Sequence, residues 1–219
     1  NGLDYTDMMQ RFLSWLKNAK YTPYHEVFDV GRTSRAAILR FAEGVPPLQC
    51  GGASEQDNGN GALMRILPLA FYLYSRFGAD FFRQEEAVSI IHNVAALTHA
   101  HKRNQIACGI YLSIAGMLMG GTELPYAFDL GLQRAWQYYS GHEAYAGELA
   151  HYGRLCSPQF SGIPVEQIKS GGYVVDTLEA ALWCLLNTDN YRDCVLKAVN
   201  LGEDTDTVAA AAGGLAGMY

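Results

Sequence analysis

Apolar residues in this 219-residue chain recur at three- and four-residue spacing in one segment after another, with no sustained alternation of apolar and polar residues. Near the start, for example, Met8, Met9, Phe12, Leu13 and Leu16 fall on one face of a helix. This spacing predicts amphipathic helices, whereas strands would show a period of two. The chain is therefore predicted to fold as an all-α domain of about eight to ten packed helices.

Nine segments carry the helical spacing, and an Ala-rich run after residue 207 suggests a tenth helix. The predicted helices are Asp4–Lys20, Thr33–Phe41, Ala62–Arg76, Phe81–Leu97, Asn104–Met119, Leu124–Tyr139, Ala144–Arg154, Val174–Leu186 and Tyr191–Val199. The connection Gly44–Gly61 is rich in Gly, Pro, Gln, Ser and Asn, and at this length we expect it to be a functional loop. A single domain over residues 1–219 is expected, because the chain can bury one sizeable core.

The composition of the chain argues against several classes of function. Apolar content of 49% and charged content of 17% are typical of a globular protein. The net charge of −6, with scattered basic residues, argues against nucleic acid as the main partner. No apolar run approaches the roughly 20 residues that a membrane-spanning helix needs. Five cysteines without a C-x-x-C pair predict free thiols and a cytoplasmic location, with Cys108 and Cys184 acting as small apolar residues.

An acidic turn at residues 202–207 places Asp204, Asp206 and Thr207 just before the Ala-rich run. Two carboxylates and a hydroxyl can converge on one divalent cation, and Mg²⁺, Ca²⁺ and Mn²⁺ prefer such oxygen ligands. We expect this turn to be buried, which is costly unless a positive group fills it. The alternative is that one carboxylate only caps the following helix, where Asp and Thr are favoured.

Three further polar loops precede predicted helices. The glycine-rich turn 57–61 could bring backbone amides close to a phosphate, or it is an ordinary Asn/Gly turn, since it lacks the Gly-Lys ending of a P-loop. His99 and His101 are two residues apart, so they do not form a zinc pair on one helix face. One of them could bind a ligand, although a structural histidine is common. Tyr173 follows a Gly-Gly turn, where its ring could stack on a base or ribose or simply pack.

Taken together, these loops resemble those of the ADP-ribosylglycohydrolase family, which includes the dinitrogenase-reductase-activating glycohydrolase. The matching stretches occur in the family's order and cover nearly the whole chain; they are residues 28–31, 58–65, 98–101, 172–183 and 198–207. The resemblance implies a single compact multi-helix all-α fold that holds two Mg²⁺ ions, or Mn²⁺ in their place. It also implies hydrolysis of the N- or O-glycosidic bond between ADP-ribose and a modified protein side chain or small acceptor.

The resemblance implies roles for individual residues. Asp204, Asp206 and Thr207 would bind the metal, and the two carboxylates would act in catalysis. The implied substrate-binding residues are Asn60, Gly61, Ala62, Met64, His99 and Tyr173. The two ions would bind hydroxyls of the proximal ribose and orient a water towards its anomeric carbon, with an oxocarbenium-like transition state.

One departure from the family concerns its N-terminal Ser/Thr-Asp-Asp-Thr run, which supplies the other metal ligands. This sequence contains no Asp-Asp pair and begins with an Asn rather than Met. We therefore expect the chain to be a piece of a longer protein, and the isolated 219-residue chain to bind metal weakly and turn over little. Three alternatives stay open: a split active site that another chain completes, an inactive relative that serves as a binding or structural protein, and a nucleotide-sugar transferase, which would usually need an α/β fold.

Overall fold

The computed structural model describes residues 2–219; Asn1, the first residue of the predicted domain, lies outside the described residues. Across residues 2–219 the chain forms ten α-helices with short 3-10 turns between them and no sheet, which confirms the all-α prediction. The helices are α1 Tyr5–Asn18, α2 Arg32–Ala42, α3 Pro68–Phe77, α4 Glu85–Ala96, α5 Lys102–Met119, α6 Leu124–Ser140, α7 Glu143–Leu149, α8 Val174–Leu186, α9 Tyr191–Val199 and α10 Thr205–Ala216.

Helix α5 forms the centre of the molecule. Every residue from Arg103 to Leu118 is buried, and the helix packs against α3, α4, α6, α7 and α8. A helix that is buried on all sides leaves no face for solvent, so its neighbours must surround it. The helices α8, α9 and α10 complete this core on one side, and their N-terminal ends carry two of the loops singled out in the sequence.

The predicted helix Ala62–Arg76 is wrong as a single element. A 3-10 turn occupies Leu63–Arg65, and α3 begins only at Pro68. Proline has no backbone N–H to donate to the carbonyl four residues earlier, and its fixed φ suits the first position of a helix. The chain therefore breaks before the proline, which leaves the preceding turn free to line the site described below.

Two other predicted helices are also shorter in the structure. In place of Phe81–Leu97, a 3-10 turn is followed by the extended residue Gln84, and α4 starts with two acidic residues that suit a helix N-terminus. In place of Ala144–Arg154, α7 ends at Leu149 and a 3-10 segment continues to Cys156. Gly153 lies within this 3-10 segment, and glycine is a poor helix former, which fits the loss of regular helix after Leu149.

Helices α1 and α2 pack as a small separate layer. Their buried residues Met9 and Ala37 form a second apolar cluster with Cys50 and Leu97, from the long loop and the end of α4. This cluster holds the two helices beside the glycine-rich turn. Cys108 and Cys184 are fully buried in the main core, as the sequence predicted. Within the described part of the chain, none of the helices combines the length and apolar character needed to cross a membrane.

Candidate functional site

The glycine-rich turn and the loop before α8 are joined through their backbones. Gly59 and Tyr173 face each other in an isolated antiparallel β-bridge. Beside it, the backbone N–H of Asn60 donates to the carbonyl oxygen of Gly172 at 3.0 Å. Two loops that are more than 100 residues apart in sequence are therefore fixed in register with each other.

The side chain of Asn60 extends this junction to the acidic turn. Its Nδ2 donates to the Thr177 hydroxyl at 2.9 Å and to the Asp204 carboxylate at 2.7 Å. The backbone N–H of Asp204 in turn donates to the carbonyl of Ser170 at 3.1 Å. Asn60 is 6% exposed, so its amide is held in the interior where three loops meet.

The acidic turn is only partly buried. Asp204 occupies the position just before α10, but its side chain makes no capping hydrogen bond to that helix and accepts from Asn60 instead. Thr207 is buried and Asp204 is half-buried, whereas Asp206 is exposed. The expectation of a buried acidic turn is therefore wrong for Asp206. A first-turn side chain that points away from the core is free to meet solvent or a ligand.

The electrostatics of Asp204 favour its charged form. Burial raises the pKa of this carboxyl, but hydrogen bonds, that from Asn60 first, outweigh burial and hold the pKa below its usual value. Together with Asp206 and Thr207, Asp204 forms a set of hard oxygen donors. That set fits a cation such as Mg²⁺ or Mn²⁺, and it does not fit zinc, which takes nitrogen or sulfur.

A second cluster of metal-type ligands includes Glu55, which lies two residues before the glycine-rich turn. Glu55, His101 and Glu148 are the only three acidic, histidine or cysteine side chains within residues 2–219 whose ligand atoms all lie within 4.8 Å of one another. The guanidinium of Arg103 donates to both oxygens of Glu55, at 3.0 and 3.2 Å, and to Glu148 at 2.8 Å. A cation would have to displace this buried arginine, so the acidic turn is the better candidate.

A cavity of about 470 Å³ lies beside the joined loops, within the size range of small-molecule sites. Four of the six predicted substrate-binding residues line it: Asn60, Gly61, Met64 and His99. Ala62 is fully buried beneath the turn, and Tyr173 lies near the Arg103 guanidinium; neither lines the cavity. A larger cavity of about 720 Å³, between α6 and residues 155–161, contains none of the predicted site residues.

The sequence did not predict another part of the cavity wall. That part comes from Phe12 and Trp15 of α1 and from Arg32, Ser34 and Ile38 of α2. The spacing of the apolar residues in α1 identified its buried face, but spacing does not reveal what that face covers. Only the packing of α1 and α2 against the long loop places these side chains at the site.

His99 lies close against the glycine-rich turn. A Cβ atom on Gly61 would lie 2.8 Å from His99 Cε1 and 2.9 Å from the Ser34 hydroxyl, so no side chain fits there. At Gly59 the nearest such contact would be 3.7 Å. His99 is 2% exposed, and burial together with the charge of Arg65 lowers its pKa to about 3. The imidazole is therefore neutral at physiological pH.

Comparison with known proteins identifies relatives of this chain. The chain is 29% identical over 215 residues to ADP-ribosylarginine hydrolase Tri1 of Pseudomonas putida (strain GB-1), covering 98% of this chain and 52% of that protein. It is 30% identical over 217 residues to ADP-ribosyl-(dinitrogen reductase) glycohydrolase of Rhodospirillum rubrum, covering 98% of this chain and 61% of that protein. The chain thus spans about half to three fifths of the length of these curated relatives.

A solved structure and the family model also match this chain. A structure described as an ADP-ribosylglycohydrolase-related protein complex superposes with a TM-score of 0.70 at 27% identity, covering 100% of this chain and 65% of the other. Residues 1–219 match the ADP-ribosylglycohydrolase family as a whole. The fold and the sequence relationship agree, and the chain belongs to the ADP-ribosylglycohydrolase family.

Proposed function

We propose that the protein containing this chain hydrolyses the glycosidic bond between ADP-ribose and a modified acceptor. The observation that carries the proposal is the position of Asn60, which lines the cavity and donates to Asp204 at 2.7 Å. One amide thereby connects a pocket of suitable size for a nucleotide ligand with a set of hard oxygen ligands. Membership of a family of glycosyl-bond hydrolases supports the same reading.

On the acidic side, Asp204, Asp206 and Thr207 would hold Mg²⁺, with Mn²⁺ as the alternative. When bound, the cation would supply electrostatic stabilisation and activation of a water molecule. Asn60 holds the Asp204 carboxylate in one orientation, and its hydrogen bond lowers the pKa of that carboxyl. The carboxylates of Asp204 and Asp206 would stabilise the positive charge that develops at the anomeric carbon.

On the cavity side, the chain would bind the ADP-ribose moiety. Gly61 leaves space between His99 and the backbone, and Asn60 and Met64 form the adjoining wall. The aromatic rings of Phe12 and Trp15 offer a further apolar surface of the cavity. Roles for Ala62 and Tyr173 as ligand contacts stay predictions, because both lie outside this cavity.

We further propose a protein substrate that carries ADP-ribose, with arginine as the acceptor to be tested first. The names of two relatives point in this direction, one acting on ADP-ribosylarginine and the other on ADP-ribosyl dinitrogen reductase. The described residues would act as one domain, in line with a single main core. A small ADP-ribose conjugate is the second substrate class to test.

The first test is calorimetric titration of ADP-ribose into the protein, with Mg²⁺ and with EDTA, beside Asp206→Ala. We expect binding that Mg²⁺ strengthens and that the variant weakens by more than about tenfold, because a metal ligand is lost. Asp129→Asn, which alters an exposed carboxylate on α6, is the matched control and should bind as the wild type does. Absence of ADP-ribose binding in every condition would contradict the proposed site.

The second test measures release of ADP-ribose from an ADP-ribosylated arginine substrate under the same conditions. Release that depends on Mg²⁺ and on Asp206 would support the proposed reaction. Turnover by the 219-residue chain alone is expected to be low, and full turnover would contradict the expectation that its acidic turn needs further ligands.

A further inference from the structure

A chain of three polar groups leads from Arg65 to the cavity. Nη2 of Arg65 donates to the Thr98 hydroxyl oxygen at 2.7 Å, and that oxygen lies 2.9 Å from Nδ1 of His99. The same Arg65 nitrogen also donates to the carbonyl of Val94 at 3.0 Å, which holds the guanidinium at the end of α4. The position of the Thr98 hydroxyl is therefore determined from both sides.

The direction of the second hydrogen bond follows from the available donors and acceptors. An arginine can only donate, so the Thr98 oxygen accepts from Arg65 and its own proton needs an acceptor. Thr98 is 2% exposed, and within residues 2–219 His99 Nδ1 is the only acceptor at hydrogen-bond distance from its hydroxyl. If Nδ1 carried a proton, the Thr98 proton would be buried without a partner, which costs about 1–3 kcal/mol. Nδ1 therefore accepts.

The other nitrogen of the ring faces the cavity. His99 Nε2 would lie 3.4 Å from a Cβ on Gly61 and 3.7 Å from one on Gly59, and no group in the described part of the chain hydrogen-bonds to it. His101 differs, because its Nδ1 accepts from the Arg103 backbone at the start of α5. Of the two histidines, His99 alone lines the cavity and has a free ring nitrogen on that side.

We propose that Arg65 and Thr98 are positioning residues that hold neutral His99 in the Nε2–H tautomer, so that Nε2–H donates to an oxygen of the bound ADP-ribose moiety. The inference rests on the proposed function for the identity of the ligand. The tautomer itself depends only on groups of this chain. Arg65 needs no carboxylate partner for this role, since it acts on His99 through the Thr98 hydroxyl.

Burial explains why a neutral ring is available. The pKa of His99 is lowered to about 3, and the nearby Arg65 charge adds to the effect of burial. Arg65 itself remains protonated, because burial lowers its pKa only to about 10. A charged imidazole would donate from both nitrogens and lose the bond from Thr98, so neutrality is needed for one-sided donation.

The test is nitrogen NMR of protein labelled with ¹⁵N-histidine, in which His99→Gln identifies the His99 signals among the six histidines. We expect the wild-type ring to be protonated at Nε2 and hydrogen-bonded at Nδ1. Thr98→Val should populate both tautomers and bind ADP-ribose about tenfold more weakly. Thr98→Ser keeps the hydroxyl and should restore both the tautomer and the affinity.

Two outcomes would overturn the inference: a wild-type ring protonated at Nδ1, or a Thr98→Val ring as fully protonated at Nε2 as the wild type. The unliganded spectra separate the inference from the proposed function. If the tautomer is as expected but ADP-ribose does not bind to any variant, the proposed ligand is wrong. The role of the Arg65–Thr98–His99 relay, the chain of two hydrogen bonds described above, in setting the tautomer is then still supported. If Thr98→Val does not fold, the tautomers of the wild type and of Thr98→Ser still test the inference, since both rings should be protonated at Nε2.

Discussion

The cavity side and the acidic side of the candidate site differ in how far the chain itself determines their geometry. On the cavity side, His99 is 2% exposed and is held by Thr98 on one edge and faced by Gly61 on the other. On the acidic side, Asp206 is exposed and only Asp204 has a side-chain partner from another loop, Asn60. The cavity is therefore preorganised by protein contacts, whereas fewer contacts within the described residues fix the acidic turn.

The largest expected effect is at Gly61, where a new side chain would collide with a fixed ring. Gly61→Ala places Cβ 2.8 Å from His99 Cε1, and the relay that holds His99 prevents an easy shift. We expect at least about 30-fold weaker ADP-ribose binding, equivalent to ~2 kcal/mol. Gly59→Ala is the matched control, because its Cβ meets nothing closer than 3.7 Å. Equal losses in both variants would show that the cavity side is not rigid.

A pH experiment compares the two buried histidines. The pKa values of His99 and His92 are both lowered to about 3, mainly by burial. Each therefore contributes stability that is fully present above the unfolded pKa of about 6.5 and is lost as the pH falls towards 3. Wild type should lose about 1.6 kcal/mol of stability between pH 6.5 and pH 5 through His99, and His99→Gln should remove this loss.

Urea unfolding at pH 7, 6 and 5 measures this effect. His92→Gln, in the core near Tyr139 and Tyr145, should flatten the pH profile to a similar extent. Only His99→Gln should also weaken ADP-ribose binding at pH 7. If the free energy of unfolding of His99→Gln falls with pH as steeply as that of the wild type, this ring is not kept neutral by burial.

At the junction of the two sides, Asn60→Ala removes the hydrogen bonds to Thr177 and Asp204. We expect a loss of about 1 kcal/mol in the free energy of unfolding, together with a higher pKa for Asp204. Guanidinium or urea titration measures the first, and the pH dependence of Mg²⁺ binding measures the second. If Mg²⁺ binding stays unchanged at every pH, Asn60 does not couple the cavity to the acidic turn.

The smallest effect on stability is expected at Asp206. Asp206→Asn should change the free energy of unfolding in EDTA by less than about 0.5 kcal/mol, because the side chain is exposed. The thermal stabilisation caused by Mg²⁺ should nevertheless be lost, since stabilisation by a ligand follows its affinity. Melting curves with and without Mg²⁺ test both statements. A large loss of stability in EDTA would mean that Asp206 has a structural partner and would remove the contrast between the two sides.

Much of the fold could be predicted from spacing alone. The predicted helices Val174–Leu186 and Tyr191–Val199 match helices of the structure at the predicted bounds. The failures are local: Pro68 breaks a segment whose apolar spacing continues through it, and Gln84 separates a 3-10 turn from α4. Spacing reports which face is apolar, but it does not report where the backbone stops repeating.

Residues of the candidate site could be predicted only where a single loop contains an unusual combination of residue types. Asp204, Asp206 and the glycine-rich turn stand out in sequence because their residue types are unusual together. The Arg65–Thr98 contact has no such signal, since it joins residues 33 positions apart and depends on the break before α3. The position of Trp15 at the cavity could not be predicted from the sequence either, because it depends on how α1 packs and not on the residues next to Trp15 in the chain.

Two isolated β-bridges connect the loops of the site through their backbones. Gly52 pairs with His99 and Gly59 pairs with Tyr173, so that backbone amides such as those of Ala100 and Val174 are hydrogen-bonded across the chain at 2.7 and 3.0 Å. Although these residues lie outside regular helices, their amide hydrogens should exchange with solvent as slowly as those of a sheet. The loops of the site would then open only together with the helices that they join, as one cooperative unit.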